Sequence, residues 1–121
     1  MTTVLLIATV ICAVANASDA VASYARAPFV LANSAEVRVP PRAVPHLATL
    51  KLAGAVGLVV GLSGVPPLGL AAGIGLIAFF VGAVLAHVRA RVFHNIAFPV
   101  GFLLLAVAAT VYFAGRTVTA M

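Results

Sequence analysis

The chain has 121 residues, of which 64% are hydrophobic and only 7% are charged. A soluble domain of this size needs far more polar surface than that, so the composition excludes a soluble globular protein. The formal net charge is +5, but the basic residues lie between apolar runs rather than on a polar face, which excludes a nucleic-acid-binding protein.

The sequence contains four apolar runs, each close to the ~20 residues that cross a bilayer as a helix. They cover residues 3–24, 46–63, 67–88 and 94–115. Hydrocarbon offers backbone groups no hydrogen-bond partner, so a spanning segment must be a helix or part of a closed barrel. Barrel strands alternate apolar and polar residues, whereas these runs are continuously apolar. The sequence therefore predicts a single all-α domain, an antiparallel bundle of four transmembrane helices.

The segments between the runs carry prolines, turn residues and most of the charges. Residues 33–45 contain three prolines, which oppose a continuous helix, together with the only glutamate. Residues 63–67 are few and rich in glycine and proline, so they predict a tight turn between antiparallel helices. Residues 26–32 leave two interpretations open. They continue the first helix past the membrane surface, or they lie along the interface with Phe29 and Leu31 toward lipid.

The distribution of basic residues predicts how the bundle is oriented. With four spans, the first and third connecting segments lie on the same side of the membrane. The opposite side has only Arg116, while these two segments and their margins hold Arg26, Arg38, Arg42, Lys51, Arg89 and Arg91. The positive-inside rule then places these segments in the cytoplasm and both termini outside a cell membrane.

The first run also shares features with a cleaved signal peptide. Residues 4–15 resemble its apolar region, and residues 15–17 fit an Ala-x-Ala cleavage site. Residues 1–3 lack the positive charge that such a peptide carries. We therefore interpret the first run as a permanent span, and leave open whether residues 1–17 are removed.

Small residues are concentrated in the second and third runs. Gly57 and Gly61 form one GxxxG spacing, Gly69 and Gly73 form another, and Gly54 lies one turn before the first. Small residues let membrane helices approach closely, and this contact is their main source of packing energy. The spacing predicts a tight pair between the second and third helices, with dimerisation through the same motif as the alternative.

Ionisable side chains converge on one end of the predicted bundle: Asp19, Lys51, His87, Arg89 and His94. Such residues are costly inside a membrane, so they mark candidate functional positions. One hypothesis is a polar pocket in which Asp19 pairs with Lys51 and His87 shapes a site for a small molecule or a proton. The alternative is that the cations extend to the head groups and the histidines mark the water interface.

Motifs of enzymes and metal sites are missing from the sequence. Cys12 is the single cysteine, so an internal disulfide is excluded, and its apolar surroundings favour a buried thiol. No CxxC, HExxH, Walker or dinucleotide-binding glycine motif is present. Three histidines without a clustered acid are weak evidence for metal. We therefore expect no metal and no catalytic residues.

A pattern of proline, polar and small residues extends over residues 40–90. It consists of Pro41, His46-Leu47, Lys51-Leu52-Ala53-Gly54, Gly61, Pro66-Pro67-Leu68, Ala71-Ala72, Ile74-Gly75, Gly82-Ala83, His87 and Arg89. This pattern resembles the DoxX-like family of small four-span membrane proteins. The resemblance implies that Lys51 and His87 are characteristic polar positions. The wider DoxX/DoxD group includes a membrane subunit of a thiosulfate:quinone oxidoreductase and relatives that act in membrane-protein assembly or cargo handling.

Three functions are consistent with these observations. The first is a non-catalytic accessory subunit in redox or quinone-linked metabolism or in assembly, which contacts lipid and either a membrane-protein partner or a second copy. The second is a small transporter that uses Asp19, as the small multidrug resistance proteins use a carboxylate in helix one. The third is an oxidoreductase subunit that binds a quinone or lipid in the pocket, with His87 or Tyr24 as proton donor. No cofactor other than a quinone is expected.

Overall fold

Five α-helices make up most of the structure, a computed structural model that describes residues 1–120. They are α1 (Thr2–Tyr24), α2 (Pro28–Glu36), α3 (Val44–Leu62), α4 (Pro66–Arg89) and α5 (Ala97–Ala120), with a 3-10 turn at Pro41–Ala43. All but α2 are long and apolar enough to cross a membrane. The predicted all-α bundle of four spanning helices is confirmed.

Three of the helices begin at prolines. Pro28 is the first residue of α2, Pro66 is the first of α4, and Pro45 is the second of α3. In a first turn the backbone amide has no helical partner, so proline removes no hydrogen bond there and its fixed φ favours the helix. Between α3 and α4 the chain turns at Gly64, whose φ is 131°.

Three helices end at an arginine in the left-handed conformation. Arg26 follows α1, Arg38 follows α2 and Arg91 follows α4, with φ of 55°, 65° and 58°. In each case the arginine amide and the next amide donate back to the last turn of the helix, which satisfies carbonyls that would otherwise lack partners. Glycine is the usual residue at such an end, so arginine here is a departure from the common pattern.

Residues 26–32 do not continue α1. The positive φ of Arg26 ends that helix, and the segment from Pro28 onward forms α2 as a separate element. Phe29 is 59% exposed and Leu31 is partly buried. The first of the two interpretations left open by the sequence is therefore wrong.

The fourth span begins later and ends later than predicted. The sequence predicted residues 94–115, whereas α5 covers Ala97–Ala120. Turns occupy residues 90–96 after the reversal at Arg91, and these turns delay the start of α5. The helix continues through Arg116, a residue that favours helices, and its guanidinium carbon lies 5.8 Å from the centre of the Tyr112 ring one turn earlier.

The four long helices form a closed ring in the order α1, α3, α4 and α5. Each packs against the helix before it and the helix after it in this ring, and the α1–α5 contact closes it. The short α2 and the 3-10 turn cover the end of the ring at which α1 and α4 end and α3 and α5 begin.

Close helix contacts occur at all five glycines that the sequence assigned to packing. A Cβ added to Gly61 would lie 2.6 Å from Gly69 Cα, and one added to Gly57 would lie 2.6 Å from Ala72 Cβ. The pair of Gly69 and Gly73 also makes a contact that the sequence did not indicate, because Gly69 packs against Phe113 of α5. The remaining close contacts join Gly54 to Leu76 and Gly73 to Thr110.

Polar side chains of α1 face the inside of the ring. Thr9, Asn16 and Ser23 are buried, and Thr9 Oγ1 donates to Leu5 O at 2.7 Å while Asn16 Nδ2 donates to Cys12 O at 2.9 Å. Polar groups away from water need such partners, and the helix backbone supplies them to these two donors, whereas Asn16 Oδ1 has no partner among the described residues. The outward face of the same helix is apolar, with exposed Val4, Ile7, Ile11, Val14 and Val21.

We expect Gly61→Ala to destabilise the bundle. The added methyl group would collide with the backbone of Gly69, which cannot move without separating α3 from α4. The loss should be about 1–3 kcal/mol, seen as a lower Tm in detergent. The matched control is Gly75→Ala, where the methyl group meets open space and should preserve or raise the Tm. Equal Tm values for the two variants would contradict the close approach.

Candidate functional site

A cavity of about 560 Å³ lies at the end of the ring covered by α2. All five helices contribute to its wall, and most of that wall is apolar. Five phenylalanines line it, namely Phe29, Phe79, Phe80, Phe98 and Phe102. Pockets that bind small organic molecules have this size and this mostly apolar lining, with a few polar groups that orient the ligand.

The aromatic wall is an ordered cluster. The rings of Phe79 and Phe80 meet edge to face with centres 5.0 Å apart, and the rings of Phe80 and Phe102 are stacked with centres 5.1 Å apart. Such pairs restrict the rotation of the rings, because each ring fills the space beside the next. The cavity therefore has firm, flat walls on α4 and α5.

An ion pair between Asp19 and Lys51 forms the polar part of the wall. Lys51 Nζ donates to Asp19 Oδ2, and both side chains are mostly buried, with 12% of Lys51 and 27% of Asp19 exposed. Asp19 lies five residues before the end of α1 and Lys51 seven residues after the start of α3, about 8–10 Å from these helix ends. The pair therefore lies inside the bundle rather than at its rim.

Lys51 keeps donors for a further contact. An ammonium group has three N–H donors, and Asp19 accepts one of them. The same Nζ lies 5.9 Å from the centre of the Phe79 ring, which adds a cation–π attraction. A ligand in the cavity can therefore approach a cation that is held in place from two sides.

His87 contributes an acceptor to the same cavity. Its Nδ1 lies 2.8 Å from the carbonyl oxygen of Ala83, one turn earlier in α4. A carbonyl can only accept, so Nδ1 carries a proton and donates it to this bond. In the neutral ring Nε2 then has a free lone pair, and His87 lines the cavity.

Arg89 and His94 do not line the cavity, unlike the other three residues predicted for the pocket. Arg89 is exposed and follows His87 by two positions, about 200° around the helix, so it points away from the cavity. His94 lies in the turn before α5, where it is 66% exposed and its Nε2 is 3.2 Å from Glu36 Oε2. The cavity lining therefore contains three of the five predicted residues, and Arg89 and His94 lie outside it.

Two asparagines belong to the site but were missed by sequence reasoning. Asn95 Nδ2 donates to Asn33 Oδ1 at 3.1 Å, and both residues line the cavity. This bond joins α2 to the turn before α5, across 62 positions of the chain. Nothing in the spacing of the sequence indicates it. The only signal is that Asn33 begins the proline-containing segment 33–45 and Asn95 lies at the start of the fourth apolar run.

Four apolar helices around a ligand-sized cavity define a multi-pass membrane protein. The sequence profile of the DoxX-like family matches residues 7–109, and the chain belongs to that family. No curated protein and no solved structure matches the chain significantly.

We expect Asp19 and Lys51 to be energetically coupled. Asp19→Asn and Lys51→Met each leave one charge without its partner inside the bundle, and each should lower stability. The double variant should be less damaging than the sum of the two single variants, by about 0.5–3 kcal/mol. Thermal or chemical unfolding of all four proteins in one detergent measures this difference. Strictly additive losses would show that the contact is not coupled.

Proposed function

We propose that the chain is an accessory membrane subunit that holds an apolar ligand of the quinone class in the cavity and serves a partner protein in redox metabolism. The proposal is supported above all by one observation: an aromatic-walled cavity with an ion pair and an imidazole in its lining. The subunit role is supported by the family, since the wider DoxX/DoxD group includes a membrane subunit of a quinone-linked oxidoreductase.

The lining of the cavity fits the chemistry of a quinone. A flat ring packs well against phenylalanine faces. A quinone oxygen accepts from a donor such as Lys51 Nζ, and a quinol hydroxyl donates to an acceptor such as His87 Nε2. A bound quinone supplies two-electron, two-proton redox chemistry. The residues of this chain bind the ring, orient its polar groups and exclude water from it.

The ion pair supports ligand binding more than it supports transport. A transporter that depends on one membrane carboxylate needs that group free to bind each substrate cation in turn. Asp19 is held by Lys51, a cation of the protein itself. The cavity is therefore closer to neutral, which suits an uncharged ligand with polar oxygens.

We expect Gly82→Leu to prevent binding of a short-chain quinone. Gly82 lines the cavity and has open space around it, so a leucine would fill the cavity without disturbing helix packing. Binding should weaken by about tenfold or more, since a misfitting side chain costs ~1–3 kcal/mol. Quenching of a fluorescent quinone analogue by the protein in nanodiscs measures this change.

The control for this variant is Gly75→Leu on the same helix. Gly75 also has open space around it but lies outside the cavity, so this variant should bind as the unchanged chain does. Binding no stronger than that of protein-free nanodiscs, or equal binding by both leucine variants, would contradict the proposal.

We also infer that the cavity end faces the cytoplasm and that the termini lie outside the cell membrane. The support is the charge at that end, where Arg26, Arg38 and Arg91 end three helices. In a bacterial host, alkaline phosphatase fused after residue 119 or after Ser63 should be active, and one fused after Ala90 should be inactive. The reverse pattern would show the opposite orientation.

A further inference from the structure

We propose that α2 is a hinged lid over the mouth of the cavity and that its opening controls entry of the ligand. The inference rests on the proposed function in one respect, namely that the cavity takes a ligand.

The inner face of α2 forms one wall of the cavity. The wall residues are Phe29, Val30, Asn33 and Ser34 of α2 and Val37 directly after it. Their spacing of four and eight positions places them on one side of a helix. Ala32, Ala35 and Glu36 on the other side are exposed. If α2 moves away, one wall of the cavity is removed and the ring of four spanning helices is left intact.

Two polar contacts attach α2 to the turn before α5. Asn33 Oδ1 accepts from Asn95 Nδ2 at 3.1 Å, and Glu36 Oε2 lies 3.2 Å from His94 Nε2. The second contact is exposed at both side chains, by 42% and 66%, and exposed pairs of this kind stabilise a structure only slightly. We call these two contacts the latch. Asn33 and Glu36 lie about one turn apart on α2, and His94 and Asn95 are consecutive, so both contacts break in one movement.

Of the three buried side-chain polar atoms without a partner among the described residues, one belongs to the latch. Asn95 Oδ1 is buried, and no donor among residues 1–120 reaches it. A buried acceptor without a partner is unfavourable, and opening of the lid would expose it to water. The backbone of α2 also contacts the rest of the fold far less extensively than the four spanning helices contact one another. Segments with few contacts are those that open locally.

The two ends of α2 provide hinges. Arg26 precedes it and Arg38 follows it, and both have the left-handed φ that side chains with a Cβ disfavour. Hinge movements are absorbed by a few residues at the ends of elements. When the lid moves, a change of backbone conformation at either arginine relieves the left-handed φ but also breaks the cap hydrogen bonds made there, so the two effects oppose each other.

A cysteine inside the cavity tests the lid without any ligand. Ala83→Cys places a thiol in the cavity lining, and Cys12→Ala removes the native thiol. The protein is held in nanodiscs, so that a charged methanethiosulfonate reagent reaches the new thiol only from the water side. The measured quantity is the rate of modification, which follows the fraction of time that the lid is open.

Weakening the latch should raise this rate. Asn33→Ala should raise it about two- to tenfold, the change expected from the loss of one hydrogen bond. Combining it with Glu36→Gln should raise it further. The matched control is Ala32→Asn on the exposed face of α2, which should leave the rate unchanged. Equal or lower rates in the latch variants, at unchanged Tm, would overturn the lid.

The same proteins separate the lid from the proposed function. Faster association and faster release of the fluorescent quinone analogue in the latch variants would support both. Faster thiol modification without any quinone binding would support the lid and contradict the proposed quinone site. If the latch variants bind the quinone analogue but exchange it, and are modified at the thiol, at unchanged rates, the result would support the quinone site and overturn the lid.

Discussion

The close approach of α4 to its two neighbours determines the shape of the whole bundle. Gly61 and Gly69 bring α3 and α4 together near the turn that joins them, and Gly73 brings α4 against α5. Association of helices in lipid depends on this kind of contact, because apolar side chains gain nothing by leaving a hydrocarbon solvent. The core cluster lies in the same part of the bundle, around Leu58 and Phe113. The close glycine contacts are therefore concentrated in one half of the molecule, and the core cluster continues from there to Phe80 at the cavity.

The other half of the bundle has large side chains where the first half has glycines. On α4 the residues after Leu76 include Phe79 and Phe80, which pack against Phe102 of α5. The cavity lies in this half, where the ion pair of Asp19 and Lys51 connects α1 with α3. A buried pair adds little net stability, because removing two charges from water offsets much of their attraction. Because the pair lies in the cavity wall, it contributes more to the polarity of the ligand site than to the stability of the fold.

Much of this arrangement could be predicted because a bilayer requires spanning segments of a certain length and apolar composition, and both can be counted in the sequence. Four hydrophobic runs are long enough to cross a bilayer, and they predict four helices because lipid offers the backbone no hydrogen-bond partners. Antiparallel threading then brought Asp19, Lys51 and His87 to one end. Rotation about the helix axis could not be predicted, and this rotation decides that His87 lines the cavity while Arg89 does not. The contact of Asn33 with Asn95 depends on the nine-residue helix α2, which overlaps residues 26–32, left open by the sequence, and the start of the proline-containing break at 33–45.

The arginines at the helix ends connect the orientation of the chain with the movement of α2. A left-handed residue with a Cβ costs about 1–2 kcal/mol relative to an ordinary conformation, and glycine would remove most of that cost. A basic side chain close to an anionic membrane surface gains about 1 kcal/mol. Where such a surface lies beside the helix end, this attraction offsets much of the backbone cost, so arginine is tolerated where glycine is usual. The proposed orientation places Arg26 and Arg38 beside such a surface, and in the proposed lid the same two residues lie at the ends of α2.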